Sequence, residues 1–134
     1  MKSNTQISHV AKGALWGGRV ISTLVALLLL LDGVMKLIKP APVIEATVRL
    51  GYSVETILPI GIVLMICTVI YLIPRTAILG AILLTGYLGG AVATHVRAGE
   101  GAFPILFPVA FGVLLWGGLY LRDLRLRKLV PLRT

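Results

Sequence analysis

Four apolar runs, each close to the length of a membrane crossing, constrain this chain more than any other feature. A helix needs about 20 residues to cross a ~30 Å hydrocarbon layer, with about 17 to 25 tolerated. Spans are predicted over residues 14–37, 55–73, 76–95 and 103–121. Prolines punctuate them: Pro59 falls in the first turn of the second, Pro74 stops it, and Pro104 and Pro108 come early in the fourth. Pro is tolerated in a first turn, where its missing N–H would have no helical partner anyway. The chain is 134 residues long, 57% hydrophobic and 13% charged, too apolar to hide such surface in a small soluble core. The expected fold is all-α, an integral membrane four-helix bundle in a single domain, with the first run read as a retained helix rather than a cleaved leader.

Between the first two spans, "KPAPVIEATVRLGYS" is too short and too polar to cross. Ile44 and Val48 share one helical face, while Glu45 and Arg49 pair on the other. A short helix over about 42–51 lying on the membrane surface is expected. The bases then orient the bundle. One side collects Lys2, Lys12, Arg19, Arg75, Arg122, Arg125, Arg127, Lys128 and Arg133, nine in all; the other has Lys36, Lys39, Arg49 and Arg97. The richer side is cytoplasmic by the positive-inside rule, so both termini are placed there, with 122–134 as a basic cytoplasmic tail. The net charge of +8 is spread over span ends rather than gathered in a stripe, which fits anionic headgroups and not nucleic acid. A single cysteine, Cys67, excludes an internal disulfide, a CxxC pair and a thiolate metal site.

Against this background "LDGVMK" stands out. Asp32 falls about five residues, ~8 Å, beyond the middle of the first span, still inside the hydrocarbon. An ionised group there costs roughly 2.5 to 3.5 kcal/mol even on a lenient scale, so it should turn inward and find a partner. Lys36, one turn on, gives the favourable acid-first pair. The third span runs opposite to the second and delivers Thr94, His95 and Arg97 to the same end, where Glu55 opens the second span. Two readings stay open: a structural clamp, or an outward-facing pocket of Asp32, Lys36, His95, Arg97, Glu55 and Thr94 that binds a ligand or passes protons. Glu55 also suits the positive end of its helix dipole with no further role. His95 has only His9, on the opposite side, as a second histidine, so a two-histidine haem within the chain is not expected. Small residues on the third span, Gly86, Gly89 and Gly90, are expected to let it pack closely within the bundle, with a homo-oligomer seam as the alternative.

The DGxxK of Asp32, Gly33 and Lys36, the block "PRTAILGAILLTGYLGGAVATHVRAG" and the closing "WGGLYLRDLRLRKLVPLR" resemble the DoxX-like family of small bacterial membrane proteins. The resemblance implies a multi-pass four-helix bundle in the bacterial inner membrane. The family takes its name from a subunit of a thiosulfate:quinone oxidoreductase, and none of that enzyme's known catalytic motifs appears here. The chain departs from the similarly built vitamin K epoxide reductases in lacking a cysteine pair. With sterol isomerases it could share only acid and base groups at one end. Three functions are therefore carried forward. The first is binding of a lipophilic, quinone-like ligand at the polar end, with a redox partner protein supplying electrons, since no haem, flavin or metal motif is visible. The second is a noncatalytic accessory subunit with a structural Asp–Lys–His cluster. The third is a lipid isomerase.

Overall fold

The computed structural model describes residues 2–123 and Leu126, with side chains from Lys12 onward. Five helices follow in order: α1 Lys2–Ile38, α2 Ala41–Arg49, α3 Ile57–Leu72, α4 Ala77–Arg97 and α5 Ala102–Arg122. Single 3₁₀ turns, Val54–Thr56 and Pro74–Thr76, lead into α3 and α4. No strand occurs among the described residues. Four helical stretches are long and apolar enough to cross a membrane: Lys12–Ile38, Val54–Leu72, Pro74–Arg97 and Ala102–Arg122. The fold is thus an all-α four-helix membrane bundle. The first span is extended relative to expectation because helix continues back to Lys2, past its polar start. The basic tail beyond Asp123 lies outside the described residues, as does the side chain of His9.

In cross-section the spans form a square. α1 packs along α3 and α5, and α4 packs along the same two, so α1 and α4 occupy opposite corners. The core joins Val25, Ala26 and Leu29 of α1 to Leu64 and Tyr71 of α3, Ala81 and Leu84 of α4, and Leu115 and Leu119 of α5. Outward-facing leucines, isoleucines and valines are extensively exposed, as a lipid-facing surface requires.

Glycines set the closest approaches, at positions other than those expected. A Cβ on Gly18 would stand 2.6 Å from the Gly118 carbonyl oxygen, joining α1 to α5 near the end that carries the termini (the terminal end). A Cβ on Gly61 would stand 2.8 Å from Lys36 Cβ, joining α3 to α1 at the other (the loop end). Gly80 lets α4 cross the backbone of Ile70 and Tyr71 on α3. Gly86, Gly89 and Gly90 instead lie exposed with nothing within 4 Å. The expectation that they pack α4 inside the bundle is corrected: the inward face of α4 runs through Ala77, Gly80, Ala81, Leu84 and Leu88, and their register falls outside it.

Candidate functional site

Residues 39–53 form a strap across the loop end. Lys39 leaves α1 in a left-handed conformation, φ 58°, and α2 follows with none of its residues buried. Beyond it, the Arg97 guanidinium donates to the Leu50 carbonyl oxygen at 2.6 Å. Thr94 donates its one hydroxyl proton to the Gly90 carbonyl (2.8 Å), so the Tyr52 hydroxyl, 3.0 Å away, donates to Thr94. The strap is therefore tied to the end of α4. Arg97 and Thr94, singled out from sequence as polar pocket groups, both take part in this attachment.

Asp32 and Lys36 meet as predicted, Nζ to carboxylate oxygen at 2.6 Å. The Lys36 side chain is 18% exposed, and Asp32 51%. His95 continues the inward stripe of α4 and is half-buried; its Nδ1 is buried and has no hydrogen-bond partner among the described residues. Glu55 is exposed on its 3₁₀ turn and pairs with none of these groups. The expected direct meeting of Asp32 and His95 is not made. Their helices sit at opposite corners, and the glycines thought to draw α4 in face outward.

Within electrostatic range of Asp32 is Tyr87, a residue the sequence reading passed over. Tyr87 is partly buried on α4, packs against the core, and has Asp32, Cys67 and Tyr52 within electrostatic range. Its hydroxyl makes no hydrogen bond with the described residues. An aromatic inside an apolar run reads as core; the signal available was its spacing, one heptad before Thr94.

The seams around Asp32 differ. On the α3 side, Gly33 is buried against Met65 and Lys36 is mostly covered, so α1 and α3 stay closed to the loop end. On the α5 side the two helices touch at Gly18. Gly18, Val25 and Asp32 occupy one heptad position; Val25 is 2% exposed and Asp32 half exposed. Ile21 packs on the core, whereas Leu28, one heptad on, is exposed.

A second polar cluster, unanticipated, lies at the terminal end. The fully buried Tyr71 donates its hydroxyl proton to the Leu115 carbonyl oxygen at 2.8 Å and shares a 3.0 Å hydrogen bond with Ser22. The Arg122 guanidinium covers the Tyr71 ring at 5.2 Å, a cation–π arrangement. Three helices are thereby cross-linked through one phenol. Trp116 donates its indole N–H to Thr85 at 2.6 Å and links α5 to α4.

Among the described residues, no three His, Cys, Asp or Glu side chains gather as metal ligands would. Residues 20–118 match the DoxX-like family, which spans most of the chain, all four crossings and the Asp32–Lys36 site; the protein belongs to that family. No curated protein and no solved structure shows a significant match.

Proposed function

We propose that this DoxX-like protein sits in a bacterial inner membrane, loop end toward the periplasm, and binds a lipophilic, quinone-like molecule by its polar head. One observation carries the reading. A carboxylate–ammonium pair on α1 lies within electrostatic range of a phenol on α4 that makes no hydrogen bond with the described residues, and α4 also carries a buried, unpartnered imidazole nitrogen. Polar groups held in an apolar surround without partners are costly, and a ligand oxygen would satisfy them. Tyr87 would donate to a head oxygen, His95 would bond through Nδ1, and Lys36 would hold the Asp32 carboxylate in place through their 2.6 Å ion pair. Reduction of a quinone takes up two electrons and two protons; Asp32 and His95 would relay the protons, and a partner protein would supply the electrons.

The test is direct. Asp32→Asn and Tyr87→Phe should each weaken binding of a quinone while leaving the melting temperature nearly unchanged. Unchanged affinity for a panel of quinones and sterols would remove the ligand reading. A second reading, an accessory subunit with a structural cluster, draws on the 2.6 Å Lys36–Asp32 bond and the Arg97–Leu50 tie. It predicts lower yield and melting temperature for Asp32→Asn.

A further inference from the structure

We infer that the α1–α5 seam, in its loop-end half, is a lateral entrance from the bilayer, and that Phe107 and Phe111 select for a ligand whose polar head is borne on a flat unsaturated ring. The inference rests on the ligand-binding reading and adds its route and its specificity. α1 and α5 run antiparallel and touch backbone to backbone at Gly18 and Gly118. Two heptads onward from Gly18 is Asp32; two heptads back from Gly118 is Pro104, with Phe111 midway. Asp32 therefore faces the stretch of α5 that holds Pro104, Phe107 and Phe111. It is half exposed there, although the same position one heptad earlier is sealed. The other end-face is spanned by the strap tied to α4, and the α1–α3 seam is shut by Gly33 and Gly61. That leaves the α5 side.

This side is lined by rings in file. Phe103, Phe107 and Phe111 recur every fourth residue, with centroids 5.6 Å and 4.9 Å apart, tilted and then edge-on. Exposure falls along the file from 76% at Phe103 to 51% at Phe107, and Phe111 packs against the core. A flat ring can exchange one edge or offset contact for the next along such a file, whereas an aliphatic head gains nothing comparable. Pro104 opposite Asp32 is compact, and Pro108 has no N–H to bond the Pro104 carbonyl, which leaves this turn of α5 less firmly tied. A half-exposed carboxylate facing a lipid-open seam is itself unfavourable, and a polar head seated on it relieves that cost.

The full chain in lipid nanodiscs would be tested with two probes of matched tail, a short-tailed benzoquinone and a fatty alcohol. Phe107→Leu and Phe111→Leu should weaken the benzoquinone by ~3- to ~10-fold each and leave the alcohol unchanged. Leu28→Trp, at the lip of the seam, should slow benzoquinone association on the order of tenfold, and Ile66→Trp on the lipid face of α3 should not. Equal losses for both probes, or equal effects of the two tryptophans, overturn the entrance. If Asp32→Asn weakens the benzoquinone while Leu28→Trp and the Phe→Leu variants do nothing, the entrance fails and the site survives. A wild-type protein that takes up no benzoquinone overturns both.

Discussion

Gly18 and Gly118 bring α1 and α5 into backbone contact: the missing Cβ of Gly18 would fall 2.6 Å from the Gly118 carbonyl oxygen, and that of Gly118 3.0 Å from the Ser22 backbone nitrogen. Backbone cannot yield as a flexible side chain does, so Gly18→Ala or Gly118→Ala should cost about 1–3 kcal/mol by forcing the helices apart. Gly86→Ala, with open space around it, should cost nothing. Thermal unfolding in detergent of the three variants would read this difference, and a loss at Gly86 equal to that at Gly18 would contradict the packing.

Tyr71 should behave as a keystone of the terminal end. Tyr71→Phe strips the Leu115 carbonyl and Ser22 of their shared partner inside a sealed core. Coupling between Tyr71→Phe and Ser22→Ala in a double-mutant cycle is expected at ~0.6 to ~1.7 kcal/mol, the range for hydrogen bonds between membrane helices. Additive losses would show that the pair does not interact.

Lys39 carries a φ of 58° in a conformation that favours glycine. Lys39→Gly should therefore raise stability by about 1 kcal/mol. A drop in melting temperature would mean that the ammonium, rather than the backbone turn, matters there.

The strap should loosen when its tie is cut. Arg97→Ala removes the donor to Leu50, and limited proteolysis within residues 40–53 should accelerate several-fold while the spans stay intact. Cleavage at the wild-type rate would show the tie to be dispensable.

Much of this architecture was legible in the residues. Apolar run lengths located the spans to within a few residues at most ends, because the bilayer imposes both a length and complete backbone hydrogen bonding. The Asp32–Lys36 pair was legible because i, i+4 spacing is local. Corner order was not. It places α4 diagonal to α1, and it depends on packing among all four helices. The glycines illustrate the same point. Gly86 and Gly90 have the GxxxG spacing, but spacing does not reveal what a face meets; Gly18 and Gly118 lie a hundred residues apart in the sequence and meet only in the fold.

The two glycine contacts of α1 lie near opposite ends of its membrane crossing and on different neighbours, Gly18 with α5 and Gly33 with α3. Such a fastening works as a pivot. In the proposed entrance, the Phe103 half of α5 would swing away from α1 about the Gly118 fulcrum, with Pro108 as its weak joint, while α1 stays held to α3. The proposed mouth beside Asp32 would then widen and narrow without unmaking the bundle.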